Sequence, residues 1–285
     1  MNANDLYTLP DSQEVEVQVI RDHTFYTEGP LIDANNHLLY TDLLGGSIWR
    51  WDGITHTLYA KGTSPNGQAL LPTGNNVVCE SQVGSVIEYD PKGKQVRLWA
   101  KGHMQNFEVR APNDVIVDPE HGIYFTDSVR YVGAVYYVGF DGRSSVVADG
   151  IDYANGIVQS KDKSKLFVAE SYKNRILEIT LERPGLAVDK PVIFCDLPKN
   201  SNGEESGNLP DGLALDKQNR IWVAHYGMEA IQVISKEGQH LRTYATKIPL
   251  TSNLCFWGKD LVVTGGLGEP GPGRISLLRF YPEVS

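Results

Sequence analysis

The sequence predicts an all-β fold, a six-bladed β-propeller, and three observations carry that expectation. Short runs rich in Val, Ile, Tyr and Trp recur along all 285 residues, punctuated by 28 glycines and 15 prolines. No segment sustains a 3.6-residue apolar period. A polar residue and a strand end recur six times in register, at the spacing of one four-stranded blade.

Taken in order, the strand-like runs include residues 15–20, 47–51, 83–89, 123–126, 134–140, 165–169, 175–180, 220–224, 230–235 and 274–280. Several alternate with period two, as half-buried strands do. The repeat is clearest at the strand ends Tyr40-Thr41-Asp42, Val78-Cys79-Glu80, Phe125-Thr126-Asp127, Val168-Ala169-Glu170, Val223-Ala224-His225 and Val263-Thr264-Gly265. Counting back 10 to 13 residues reaches Glu28, Asn66, Asn113, Asn155, Asp211 and Asn253 in turn. Four of these markers precede glycine: Glu28-Gly29, Asn66-Gly67, Asn155-Gly156 and Asp211-Gly212.

Successive markers lie 38, 47, 42, 56 and 42 residues apart, the size of one propeller blade. The longest interval holds residues 199–208, a polar run expected to form a surface loop. Residues 14–20 precede the first marker and 274–280 follow the last, so the two are expected to share one blade and close the ring. Residues 1–285 then form a single propeller domain. Only Trp51-Asp52 matches the WD dipeptide, which excludes that propeller class. A β-sandwich is the other architecture that short strands allow.

Composition narrows the function. With 26 Lys and Arg against 35 Asp and Glu, the net charge of −9 argues against a nucleic-acid binder, which needs a basic stripe. Three cysteines, Cys79, Cys195 and Cys255, have no C-x-x-C spacing and are too few for a disulfide framework. The sequence shows no signal-peptide pattern and no run long enough for a membrane span. A cytoplasmic protein with a small-molecule substrate, no nucleic acid and no membrane partner is expected; the oligomeric state is not legible. Gly266-x-Gly268-x-x-Gly271 has the form of a dinucleotide fingerprint, but Pro270, Pro272 and a strand follow it rather than a helix. No G-x-S-x-G elbow is present, which disfavours a serine esterase.

In a propeller, equivalent positions of all blades sit at one radius. One Glu, one Asp and four Asn would thus face the central channel. Unpaired polar groups there cost roughly 1–3 kcal/mol each, and adjacent carboxylates repel. A hard cation resolves both problems. Carboxylate and amide oxygens suit Ca2+, with Mg2+, Mn2+ and Zn2+ as alternatives, although the absence of soft ligands speaks against zinc. Read singly, each Asn-Gly or Asp-Gly pair is a common turn dipeptide; six in register point to a ligand ring.

The motifs Glu28-Gly29-Pro30, Pro112-Asn113-Asp114-Val115, Ala154-Asn155-Gly156-Ile157 and Pro210-Asp211-Gly212-Leu213, in that order, resemble the SMP-30/gluconolactonase/LRE family. Asn66-Gly67 and Thr251-Ser252-Asn253-Leu254-Cys255-Phe256 resemble its second and last motifs, so the likeness spans about residues 25–265. The resemblance implies a six-bladed propeller holding a divalent cation, usually calcium, and a lactonase activity. It implies Glu28, Asn155 and Asp211 as metal ligands, with Asn113 as a fourth, direct or through substrate. Regucalcin-type members carry an arginine two residues before the Asn of the third motif. Ala111 stands there, with Arg110 one position off, which sets the chain apart from that sugar-specific branch.

Lactone hydrolysis builds negative charge on the carbonyl oxygen, which a bound cation stabilises. Asp211 is the expected general base and His225 the alternative, since histidine titrates near neutral pH. Asn66, Glu80, Asn113, Asp127, Ser128 and Ser171 are expected to line the substrate pocket. Two other functions fit the same residues: a non-catalytic propeller binding a sugar or protein around a structural cation, and an organophosphate or aryl-ester hydrolase.

Overall fold

The computed structural model describes residues 9–200 and 207–281. Six antiparallel sheets are arranged as blades around one axis, each with its first strand innermost. Blade one is Thr27–Ile32, Leu38–Asp42, Ser47–Trp51 and His56–Lys61; blade two is Pro65–Leu70, Asn76–Glu80, Ser85–Tyr89 and Gln95–Lys101. Blade three is Pro112–Asp118, Gly122–Asp127, Gly133–Gly139 and Ser144–Ile151; blade four is Ala154–Gln159, Lys165–Glu170, Arg175–Arg183 and Val192–Asp196. Blade five is Leu209–Leu215, Ile221–Tyr226, Ala230–Ile234 and His240–Ala245. Blade six takes Leu250–Trp257, Asp260–Gly266 and Gly273–Phe280 from the end of the chain and Val15–His23 from its beginning. In that last pairing Val15 stands opposite Phe280 and His23 opposite Gly273. No described helix is long and apolar enough to cross a membrane.

The second strand of each blade is buried on both faces, because blades stack face to face around the axis. Leu38 and Tyr40 pack against blade six while Leu39 packs against blade two. Ile221 and Val223 face blade four, and Trp222 and Ala224 face blade six. The six apolar clusters of the core are the six interfaces between neighbouring blades. This double burial is why runs such as Val77-Val78-Cys79 and Ile123-Tyr124-Phe125 read as continuous apolar stretches instead of alternating ones. Each such side chain contributes about 1.5–3 kcal/mol on burial. Outermost strands need only a partial apolar face: in Gln95–Lys101 just Trp99 and Ala100 are buried.

Two details differ from the sequence expectation. The run 83–89 begins as a strand only at Ser85, because Ser81–Val83 forms a 3-10 turn closed by Gly84 at φ +56°. Of the loop expected at 199–208, residues 201–206 lie outside the described residues. Part of the extra length of blade four is a hairpin, in which Leu186–Ala187 folds back on the long strand Arg175–Arg183.

Candidate active site at the channel end

Each innermost strand breaks its pairing register at or beside the marker residue. The breaks fall between Glu28 and Leu31, Pro65 and Gln68, Pro112 and Val115, Ala154 and Ile157, Pro210 and Leu213, and Thr251 and Asn253. A bulge re-aims a side chain locally, and here it turns five of the six markers toward one pocket.

The glycines after the markers have a steric cause. Inner strands converge on the axis until the backbone of one blade touches the next. A Cβ at Gly156 would lie 2.2 Å from the Asp211 carbonyl oxygen, and one at Gly29 2.3 Å from that of Asn66. Blade three has Asp114 where its neighbours have glycine. Its carboxylate fills the space beside Gly67, 2.3 Å from where a Cβ there would sit.

Hydroxyls stitch the ring together. Thr41 donates to the Asn66 carbonyl at 2.9 Å, Ser81 to the Pro112 carbonyl at 2.8 Å and Ser171 to the Pro210 carbonyl at 2.7 Å. Two of these hydroxyls also accept from marker amides: Asn66 Nδ2 donates to Ser81 at 3.0 Å and Asn155 Nδ2 to Ser171 at 3.1 Å. The amide oxygens Oδ1 of Asn66 and Asn155 are then buried with no hydrogen-bond partner.

Glu28, Asn66, Asn113, Asn155 and Asp211 meet in a pocket of about 400 Å³. Tyr26, Tyr153, Tyr172, Tyr226, Leu43, Leu44, Leu209, Ser171, Glu269 and Pro270 also line it, and among the described residues no Lys, Arg or His does. Burial pushes the Glu28 carboxyl up to about 7, against only the Gly29 N–H and the Asn253 and Ser252 side chains that stabilise its charge. Burial also holds Asp211 well above the usual carboxylate range, reinforced by the charges of Glu28, Asp114 and Glu269. Asp114 rises to about 7 through burial and the Glu28 charge. A more open cavity of about 520 Å³ lies at the other channel end, walled largely by aliphatic residues beyond the markers, such as Leu31, Leu70 and Val117. Its polar lining includes Asp114, Asn253, Lys161 and Lys163, but the paired carboxylates Glu28 and Asp211 and the unpartnered amide oxygens of Asn66 and Asn155 are in the acidic pocket, which is therefore the candidate site.

The donor set fits a hard divalent cation. Two buried carboxylates, both with raised proton affinity and Asp211 raised in part by the Glu28 charge, stand beside amide oxygens lacking donors. A cation held by Glu28, Asn155 and Asp211, with Asn113 close by, would satisfy the two carboxylates and Asn155 Oδ1; Asn66 Oδ1 faces the same pocket. A separate group, buried Asp118 with exposed Glu120 and His121, brings ligand atoms within 4.8 Å of one another. There Lys163 already pairs with Asp118 at 3.0 Å and with Glu120 at 3.1 Å.

Of the residues expected in the pocket, Asn66, Asn113 and Ser171 line it, while Glu80, Asp127, Ser128 and His225 do not. Strand-end acids instead hold the loop that leads into their own blade. Glu80 accepts from the N–H groups of Thr63 and Ser64 at 2.8 and 2.7 Å. Asp127 accepts from those of Arg110 and Ala111 at 3.0 and 2.6 Å. Ser128 donates to the Ala154 carbonyl, another tie between blades. His225 is fully buried, its Nε2 lies 2.9 Å from Asn174 Oδ1, and burial lowers its pKa to about 4. Asn253 turns to Glu28, donating to Oε2 at 3.1 Å. Arg110 pairs with Asp127 at 3.4 Å, away from the pocket lining.

Fold and site together define a six-bladed propeller with an acidic, oxygen-donor pocket at one end of its axis. The SMP-30/Gluconolactonase/LRE-like region matches residues 26–265, and the chain belongs to that family. Lactonase drp35 of Staphylococcus aureus is 32% identical over 267 residues, covering 84% of this chain and 80% of that one. The Staphylococcus haemolyticus protein of the same name is 26% identical over 232 residues, covering 77% and 69%. Among solved structures, a gluconolactonase from Xanthomonas campestris superposes with a TM-score of 0.80 at 24% identity, covering 98% of this chain and 93% of that one. A calcium-binding regucalcin from Agrobacterium tumefaciens superposes with a TM-score of 0.76 at 20% identity, covering 94% of each chain. These structural likenesses bear on the fold.

Proposed function

We propose that this protein is a divalent-metal-dependent lactonase that opens a cyclic ester by water attack at the Glu28–Asp211 pocket. The observation that carries the reading is the pair of buried carboxylates, with no cationic side chain in the lining, beside the partnerless amide oxygens of Asn66 and Asn155. The named lactonase relatives support the reaction class. Calcium suits the all-oxygen set best; when bound, it supplies Lewis acidity toward the lactone carbonyl oxygen.

The chain supplies the remaining chemistry. Asp211 takes a proton from water at a carboxylate oxygen, and its raised proton affinity suits it to that work. The water oxygen bonds to the carbonyl carbon, the ring C–O bond breaks, and the proton passes to the departing ring oxygen. The product is a hydroxy acid. Tyr26, Tyr153, Tyr172 and Tyr226, with Leu43, Leu44 and Leu209, form a collar suited to a compact lactone with an apolar edge. The free cysteines Cys79, Cys195 and Cys255 support a reducing, cytoplasmic setting.

The test is Asp211→Asn, which keeps an amide oxygen for the cation but cannot accept the proton. At saturating calcium its lactone turnover should fall on the order of 10²–10⁴-fold. Near-normal turnover would remove Asp211 from the role of base.

A further inference from the structure

We infer that Glu269 makes the pocket selective for uncharged lactones and drives out the carboxylate product. The inference rests on the lactonase reading and concerns a residue outside the six markers.

Glu269 belongs to the loop joining the second and third strands of blade six, Asp260–Gly266 and Gly273–Phe280. That loop is anchored over the pocket. The Tyr26 N–H donates to the Pro270 carbonyl at 2.9 Å, and the Leu267 N–H donates to the Pro272 carbonyl at 2.8 Å. Gly271 packs so closely that a Cβ there would lie 2.2 Å from the Thr24 carbonyl oxygen. The Tyr226 hydroxyl, itself part of the wall, donates to Glu269 Oε1 at 2.9 Å and holds the carboxylate at the pocket mouth. From there the Glu269 charge acts on Asp211, Tyr26, Tyr153 and Tyr226, groups on several sides of the pocket.

Glu28, Asp211 and Glu269 are the carboxylic acids of the lining, and among the described residues no basic side chain is in that lining; Arg130, stacked behind Tyr172, is paired with Asp152 at 2.8 Å. With these three carboxylates ionised, a divalent cation leaves the lining one negative charge in excess, to which buried Asp114 below can only add, and Glu269 is the lining acid at the mouth. A neutral lactone meets no electrostatic penalty on approach. Its ring-opened product carries a carboxylate, which the cation attracts and which would otherwise linger as an inhibitor. Glu269 opposes that binding. The same repulsion disfavours lactones that already bear a phosphate or carboxylate group.

The experiment is calorimetric binding of 5-hydroxypentanoate, the ring-opened form of δ-valerolactone, to the calcium-loaded protein, with δ-valerolactone hydrolysis run alongside. Glu269→Gln should bind the anion about three- to tenfold more tightly than wild type, and Glu269→Lys more tightly again. The differences should shrink in high salt, because the mouth is solvent-exposed. In hydrolysis, product inhibition should strengthen relative to the lactone KM in the same order. Equal affinities in the three proteins, or no anion binding to any of them, would overturn the inference. Failure of wild type to hydrolyse any lactone would instead strike the lactonase reading, while the binding series still decides the role of Glu269.

Discussion

Asn155 Nδ2 donates to the Ser171 hydroxyl at 3.1 Å, and Ser171 donates onward to the Pro210 carbonyl at 2.7 Å. One serine therefore orients the amide of blade four and ties it to the strand that carries Asp211. Ser171→Ala should loosen both. We expect a stability loss of about 1 kcal/mol and weaker calcium binding, because Asn155 Oδ1 is no longer fixed toward the pocket. Thermal denaturation with and without calcium, together with a calcium titration, checks this.

Glu28→Gln separates stability from metal binding. It replaces a buried carboxyl whose proton affinity is raised by burial with a neutral amide. Without metal, the variant should be more stable than wild type above pH 7, by about 1–3 kcal/mol. Calcium affinity should fall roughly tenfold or more, since ligand charge sets it. Urea unfolding of the stripped proteins and calorimetry measure the two effects. Equal calcium affinity in both proteins would remove Glu28 from the ligand set.

Gly156→Ala tests the convergence of the inner strands. The new methyl would sit 2.2 Å from the Asp211 carbonyl oxygen, with backbone on the far side. We expect a loss of about 2–4 kcal/mol in stability, the scale of overpacking at a site that cannot yield. Melting temperature checks this, and an unchanged value would contradict the close approach.

The acid limb of stability should report His225. Burial lowers its folded-state pKa to about 4, against roughly 6.5 in the unfolded chain. A depressed histidine favours the fold while neutral, so its contribution is complete above pH 6.5 and is lost as pH falls toward 4. The loss is on the order of 2–3 kcal/mol. His225→Gln should be less stable at pH 7 yet lose less on acidification. The gap between its melting temperature and that of wild type should therefore narrow from pH 6.5 to pH 4. A gap that stays constant would contradict the buried neutral imidazole.

The fold was legible because the repeat has physical causes that leave marks in single residues. Double burial makes the second strands apolar, and close convergence forces Gly29, Gly67, Gly156 and Gly212. The marker ring was legible for the same reason. The strand-end acids were not: Glu80 and Asp127 share the register of the pocket, but they turn back to loop N–H groups that the sequence does not reveal. Asp114 was signalled only as a carboxylate standing where four other blades have glycine. The tyrosine collar and Glu269 come from loops whose positions around the pocket no local pattern encodes.

The most direct measurement is the rate of lactone hydrolysis by metal-stripped protein as calcium is added back, followed with a pH indicator. The stripped protein should be folded and inactive, and its turnover should return in proportion to calcium bound at the Glu28–Asp211 pocket. Hydrolysis that persists undiminished after stripping, or no hydrolysis of any lactone by the calcium-saturated protein, would contradict it.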